Sequence, residues 1–165
     1  MSIVDSLLPE FDHEMTTTRK LLERVPEDRL DWKPHAKSTT LGGLATHVAN
    51  LPIWGAMTVT QTELDLAEAG VAELARTRAE LLARFDANVA NARTALLAKS
   101  DAELMAPWTL KRSGQKIFSM PRIGVWRSFV MSHLIHHRGQ LSVYLRMNDV
   151  ALPSIYGPSA DDNPF

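Results

Sequence analysis

The stretch His133-Leu134-Ile135-His136-His137 carries three of the six histidines of this 165-residue chain. On an α-helix each residue turns about 100°, so His133 and His137 lie about 40° apart and one turn from each other. That i, i+4 spacing allows two imidazoles to bind one metal ion, as in helical zinc motifs. His136 points about 60° to the other side of His133, so the three rings of a regular helix do not reach one ion.

The residues around this stretch indicate that the pair faces the protein interior. The apolar residues within about 80° of His133 on a helical projection are Trp126, Phe129, Val130, Leu141 and Tyr144. The polar residues on the opposite side are Arg127, Arg138, Ser142 and Arg146. The centre of the apolar stripe therefore falls between His133 and His137, with His136 on its flank.

A third histidine, His47, is predicted to lie on the inward face of another helix. Its apolar stripe contains Leu44, Val48, Leu51 and Trp54. One inward histidine facing an inward pair would supply three neutral nitrogen ligands, and water would complete the open arrangement of catalytic metal sites. The residues alone leave a second interpretation equally open, in which each histidine is a core residue satisfied by one hydrogen bond.

Four segments of the chain have the periodicity of helices. They are residues 3–24, a segment from a cap at Ser38, Thr39 or Thr40 to about residue 66, residues 72–99 and residues 122–148. Pro52 predicts a kink near residues 48–52. Two short runs around a Gly-containing turn predict a small hairpin within residues 106–121, and the proline-rich tail, residues 151–165, is expected to be irregular. Four such helices favour an all-α bundle in one domain over residues 1–165.

Composition excludes several classes of function. The chain is 45% hydrophobic and 22% charged, which is typical of globular proteins, and its net charge of −1 argues against nucleic-acid binding. It has neither a continuous apolar run of about 18 residues nor the pattern of a secretory signal, so we expect no membrane association and a cytoplasmic location. Without cysteine, a soft-metal site must be built from imidazole, with or without carboxylate.

Several motifs resemble a known family. The stretch HLIHHRGQL at residues 133–141 resembles the H-x-x-H-H-R-G-Q-L signature of the DinB-like superfamily of bacterial four-helix bundles. The stretch TLGGLATH at residues 40–47 resembles the L-x-x-L-x-x-H signature that opens the second helix of that family. The segments WKPH at residues 32–35 and YGPSAD at residues 156–161 resemble one branch of the family.

The resemblance implies an up-down-down-up bundle with one divalent ion, zinc, nickel or iron, on His47, His133 and His137. It also implies a homodimer, since dimers are frequent in the family. Some relatives are thiol-dependent enzymes, such as mycothiol-dependent maleylpyruvate isomerases and bacillithiol transferases, while many have no established substrate. The family name reflects an association with the DNA-damage response rather than a reaction.

Two functions are consistent with these features. In the first, the chain is a metal-dependent enzyme whose ion activates a water or a low-molecular-weight thiol, for hydrolysis or for thiol transfer to a small-molecule substrate. His136 is the candidate acid or base. The candidate pocket residues are Asn50, Trp54, Trp126, Gln140 and Tyr144. Of these, Asn50 and Gln140 lie one turn from candidate ligands and could either bind substrate or orient the ligands. In the second, the chain is a non-catalytic dimer that binds a metal or a small molecule.

Charged residues suggest further roles for the first function. Arg122, Arg127 and Arg138 could bind an anionic substrate, although two of them project away from the apolar stripe. Asp161 and Asp162 in the tail could reach the site as a fourth ligand or a lid. For these acids, solvated terminal charge is the simpler interpretation.

Overall fold

The computed structural model describes residues 2–70 and 72–165, so Met1 and Val71 of the predicted domain lie outside it. Its elements in chain order are α1 (Ile3–Leu22), α2 (Leu41–Thr60), β1 (Glu63–Asp65), α3 (Arg78–Leu97), α4 (Asp101–Met105), β2 (Pro107–Arg112), β3 (Gln115–Pro121), α5 (Arg122–Val125) and α6 (His133–Arg146). A 3-10 turn, Glu27–Arg29, follows α1, and a π-helical segment, Trp126–Ser132, joins α5 to α6. The main apolar core lies between α1, α2, α3 and α6.

Side-chain caps define where the long helices begin. Ser2 and Asp5 form a capping box at the start of α1, in which each side chain bonds the backbone N–H of the other residue. Of the three predicted caps for α2, Thr40 is the one used, because its hydroxyl accepts a hydrogen bond from the Gly43 N–H. The cap at Thr77 starts α3 six residues later than its periodicity predicted.

A three-stranded mixed sheet lies beside the helices, so the predicted all-α class, an up-down-down-up four-helix bundle, is wrong. The chain is mostly helical, but β2 pairs in parallel with β1 and antiparallel with β3. The β2–β3 pair is the hairpin predicted before the last helix. Its turn contains Ser113 and Gly114, both with positive φ, and the Asp65 carboxylate accepts hydrogen bonds from both of their N–H groups.

The sequence did not predict the first strand, because β1 lies where the second helix was expected to continue. The helix ends at Thr60, since Gln61 adopts an extended conformation, and β1 begins two residues later. A three-residue strand is too short for a period-2 pattern to identify. Its pairing with residues 109–111 of β2 depends on contacts that are remote in sequence.

The π-helical segment sets which face of the last helix enters the core. Trp126, Val130, Leu134 and Arg138 follow one another at intervals of four residues, and all four are fully or almost fully buried. A π turn holds more residues than an α turn. A regular helical projection placed Trp126 and Val130 on the same face as His133. In the structure these two residues share a buried face with Leu134 and Arg138 instead. For this reason Arg138, predicted to lie opposite the apolar stripe, is buried.

The Arg138 guanidinium is held inside the protein by a buried ion pair. Its Nη1 lies 2.6 Å from a carboxylate oxygen of Glu14 on α1 and 3.2 Å from the Thr18 hydroxyl. Its Nη2 donates to the hydroxyl of Tyr156 in the tail, and that hydroxyl donates to Glu14. The cluster thus ties α1, α6 and the tail together one residue after His137.

We predict that Arg138→Met lowers the free energy of unfolding by about 3–5 kcal/mol, because Glu14 would stay buried without its cation. The double variant Glu14→Met/Arg138→Met should recover most of that loss, since a buried apolar pair is tolerated. Urea unfolding measures both.

The matched control is Arg127→Met, which removes an arginine that pairs with Glu10 at the exposed surface. Its effect should stay below about 1 kcal/mol. Equal losses in the Arg127 and Arg138 variants would contradict the argument from burial.

Candidate metal centre

Two helices bring the candidate ligands together. His47 lies in the second turn of α2, and His133 and His137 lie in the first turns of α6, directly after the π-helical segment. Near the other end of this contact, Gly55 of α2 lies against the Trp126 ring, where a Cβ atom would be only 3.0 Å from a ring carbon. His47 faces His133, whereas Gly55, later in α2, faces Trp126, earlier in the sequence than His133. The two helices are therefore antiparallel.

Other contacts fix the backbone of α2 around His47. The buried side chain of Asn88 on α3 donates to the carbonyl of Ala49 at 3.0 Å. The hydroxyl of Thr46, also buried, accepts from the Ala75 N–H at 3.1 Å. These buried hydrogen bonds attach the residues on either side of His47 to α3 and to the segment before it. The His47 ring therefore extends from a fixed backbone.

The Nε2 atoms of the three rings converge. The Nε2 of His133 lies 2.8 Å from that of His137 and 3.4 Å from that of His47. One nitrogen of each ring lies within 4.8 Å of the other two, the arrangement needed to hold a metal ion. The structure therefore brings together the three histidines that the sequence singled out. Within residues 2–70 and 72–165, no carboxylate joins this cluster.

A hydrogen bond at Nδ1, the ring nitrogen that faces away from the other two histidines, sets the orientation of His137. Its Nδ1 lies 2.7 Å from Oε1 of Gln140, and because a carboxamide oxygen only accepts, Nδ1 must carry the proton. In the neutral ring, Nε2 then presents a lone pair to the other histidines. A hydrogen bond to the backbone of Phe129 acts on the His133 ring and favours its protonated form.

The surroundings oppose protonation of the cluster. Partial desolvation of the ring, followed by repulsion from His137 and His133, lowers the pKa of His47 from 6.5 to about 4. Burial and the neighbouring His137 also lower the pKa of His133. Near neutral pH these rings are therefore neutral, the state in which imidazole binds a metal.

The donor set fits a divalent ion of the kind that binds imidazole. Two Nε2 atoms 2.8 Å apart are held together either by an N–H···N hydrogen bond or by a metal cation between them. Three imidazole nitrogens with one side open to solvent match the pattern of catalytic metal sites. His47 is exposed and the other two rings are half-buried, so a further ligand can reach the cluster from solvent.

The other predicted site residues lie at different depths. Asn50 and Trp54 on α2 and Tyr144 on α6 are half-buried, and the ring of Tyr144 contacts that of Trp32 edge-on at 5.6 Å. His136 is exposed, with its ring 4.8 Å from that of His137 and outside the triad. Their predicted roles in a pocket or in proton transfer stay predictions.

Trp126 has a different position from these residues because it is completely buried. Its ring packs against Phe11 at 5.3 Å and against Gly55. The π-helical segment turns it into the core, where it supports the contact between α2 and the last helix rather than lining an open site.

Sequence reasoning placed Phe129 near His133 but did not identify Phe118 as the ring that packs against Phe129. Phe129 lies one turn before His133, and its ring stacks on that of Phe118 from β3 at 4.7 Å. Both rings are half-buried. The apolar stripe that contained Phe129 was a signal for it, whereas the position of Phe118 depends on the sheet.

The three arginines considered for binding an anionic substrate form contacts with other parts of the protein. Arg122 donates to the carbonyls of three residues, Thr58, Gln61 and Glu103. Arg127 pairs with Glu10, and Arg138 pairs with Glu14.

The two acids of the tail bind the tail itself. Asp161 pairs with Arg146 and accepts from the Leu152 N–H, while Asp162 accepts from the Ser154 N–H. Neither acid belongs to the histidine cluster.

Comparison with known proteins agrees with this fold. The model of the DinB family matches residues 1–163. The chain belongs to the DinB family. The resemblance seen in the histidine motifs is thereby confirmed. Within the described residues, no helix combines the length and apolarity needed to cross a bilayer.

Three relatives illustrate the match. The uncharacterized protein YrdA of Bacillus subtilis strain 168 is 27% identical, over 96% of this chain and 91% of its own length. A DinB-like protein from Bacillus cereus has a TM-score of 0.74 at 21% identity, covering 94% of this chain and 98% of its own. The DinB-like protein YjoA of B. subtilis has a TM-score of 0.68 at 17% identity, covering 87% and 92%. The two structural matches show the fold.

We predict that the metal-free protein loses stability as the pH falls from about 6.5 to about 4. In that window the unfolded His47 ring binds a proton, whereas the folded ring, with a pKa of about 4, does not. The stabilising contribution is therefore complete above about pH 6.5. Urea unfolding at a series of pH values measures it.

His47→Gln should flatten this pH dependence, because glutamine does not titrate. The partial exposure of His47 makes the change modest. Identical pH profiles for the variant and the wild type would show that the His47 ring titrates normally in the folded protein.

Proposed function

We propose that this DinB family protein is a divalent-metal-dependent enzyme that acts on a small molecule, as a hydrolase or as a thiol S-transferase. His47, His133 and His137 would hold the ion. The observation that carries the proposal is the convergence of three Nε2 atoms, two of them 2.8 Å apart, on a side of α2 and α6 that is open to solvent.

The ion would be zinc, nickel or iron, all of which accept imidazole ligands. Such an ion, when bound, lowers the pKa of a coordinated water or thiol and so supplies a nucleophile near neutral pH. The protein contributes three imidazole rings and the hydrogen bond from His137 to Gln140, which directs the lone pair of the His137 Nε2 atom to the shared position.

His136 is proposed as the acid or base that moves a proton at the site. Its ring is exposed and lies 4.8 Å from the His137 ring, so it can exchange protons with solvent while remaining next to the triad. Imidazole is suited to this role because its ordinary pKa is near neutrality. The chain lacks the glutamate that follows the first histidine of an H-E-x-x-H motif, since Leu134 occupies that position.

The substrate is proposed to be uncharged or weakly charged near the triad. Half-buried Trp54, Phe129 and Tyr144 offer apolar surface along the two helices that carry the histidines, and Asn50 offers a hydrogen-bonding amide. The three arginines considered for an anionic substrate already bind Glu10, Glu14 or backbone carbonyls. A low-molecular-weight thiol remains the proposed co-substrate for the transferase reaction. The homodimer, the single domain and the cytoplasmic location stay predictions.

The first test is metal content. Untagged wild-type protein, analysed by mass spectrometry for zinc, nickel and iron, should carry about one ion per chain. His133→Ala should lose this ion. Loss of an outer hydrogen-bond partner typically weakens metal binding about 10- to 100-fold, and loss of a ligand should weaken it further. His136→Ala is the matched control, since it removes a ring from the same helix that is not part of the triad.

Negligible metal in the wild type, together with an unchanged melting temperature in His133→Ala, would contradict the proposal. Loss of metal in His136→Ala but not in His133→Ala would contradict it too, because the ion would then depend on His136 rather than on the triad. Either result is independent of any assumption about the substrate.

The second test is turnover. Metal-loaded protein is incubated with ester, amide and halide electrophiles, first in water alone and then with each common bacterial thiol. We expect metal-dependent turnover in one of these sets, and His136→Gln should lower kcat by about 10²- to 10⁴-fold without changing the metal content. Tight binding without turnover would instead support the non-catalytic binding module.

A further inference from the structure

We infer that Gln140 is the positioning residue of the candidate metal centre: its side-chain oxygen fixes the His137 tautomer that directs the Nε2 lone pair at the other two histidines. This inference rests on the proposed metal site and deepens it. The sequence left two roles open for Gln140, contact with a substrate or orientation of a metal ligand, and the structure assigns it the second.

The contact itself is short and local. Nδ1 of His137 and Oε1 of Gln140 lie 2.7 Å apart, within the regular part of α6 and three residues apart in sequence. Residues at i and i+3 are neighbours on a helix surface, so the pair can form without help from another element. Gln140 is exposed, and its role is therefore separable from packing of the core.

The chemistry of the amide explains why this contact matters. A neutral imidazole carries its proton on one nitrogen and a lone pair on the other. Oε1 accepts, so the proton is placed on Nδ1 and Nε2 is left free to bind a metal. An outer partner of this kind raises the basicity of the ligand and fixes its orientation.

The two ligands of α6 are supported in different ways. For His133 the supporting group is the backbone of Phe129, one turn earlier. That group belongs to the main chain of the π-helical segment that precedes α6. No side-chain substitution removes that support, whereas the support of His137 depends on a single replaceable residue.

Three substitutions separate positioning from other roles. Gln140→Met keeps the length of the side chain but removes the acceptor. Gln140→Glu keeps an acceptor at the same position and adds charge, so it serves as the conservative rescue. Val143→Met is the matched control, because it places methionine at another exposed position of α6.

The first measurement uses metal-free protein. Long-range ¹H–¹⁵N spectra of the imidazole nitrogens at pH 7.5 report which nitrogen of His137 carries the proton. We expect the Nδ1–H form in the wild type, Gln140→Glu and Val143→Met, and a shift toward the Nε2–H form in Gln140→Met. This readout requires neither a metal nor a substrate.

The second measurement is zinc affinity by competition with a chromophoric chelator. Gln140→Met should bind zinc about 10- to 100-fold more weakly than the wild type. Gln140→Glu should match or exceed the wild type, and Val143→Met should equal it. Urea unfolding of each metal-free variant checks that the exposed substitutions leave the fold intact.

The outcomes distinguish this inference from the proposed function. If the wild type binds zinc while Gln140→Met keeps both the tautomer and the affinity, the inference is wrong and the metal site stands. Equal losses in Gln140→Met and Gln140→Glu would also overturn it, because an acceptor at this position would then be irrelevant. If the wild type binds no divalent ion, the proposed function fails, and the inference fails with it.

Discussion

The four-residue spacing of buried side chains through the π-helical segment is the constraint on which the candidate site depends. Trp126, Val130, Leu134 and Arg138 face the core in succession, whereas in a regular α-helix these three steps of four residues would drift by about 120° in total. The segment thereby turns His133 and His137 to the edge of the buried face. Gly55 completes the arrangement, because only a residue without a Cβ atom lets α2 approach the Trp126 ring so closely.

This edge position explains the chemistry available to the histidines. Rings in the centre of the core would be closed to any further ligand, and rings on the open surface would be protonated at mildly acidic pH. At the edge, partial desolvation and repulsion between the rings keep the pKa of His47 near 4 while one side stays accessible. The polar support comes from Gln140 in α6 and from the backbone of Phe129 in the π-helical segment before it.

Much of the site could be predicted from the sequence, but less of the fold. The i, i+4 spacing of His133 and His137 is local, and periodicity identified the helix that carries it. The π-helical segment has no recognisable pattern, so a regular projection placed Arg138 on the solvent side. Its burial depends on Glu14 and Tyr156, which are 124 and 18 residues away in sequence. The strand β1 was missed for a similar reason, because its pairing with β2 is non-local.

The span between His47 and His133 has a consequence for stability. The two rings meet across 86 residues of chain, and the chain has no cysteine with which to close such a loop. If the proposed ion binds only the folded chain, it acts as a removable cross-link. At a free concentration of 100 times Kd, it would add about 2.7 kcal/mol to the free energy of unfolding. The lifetime of the protein would then vary with the metal supply of its surroundings, even at constant temperature and pH.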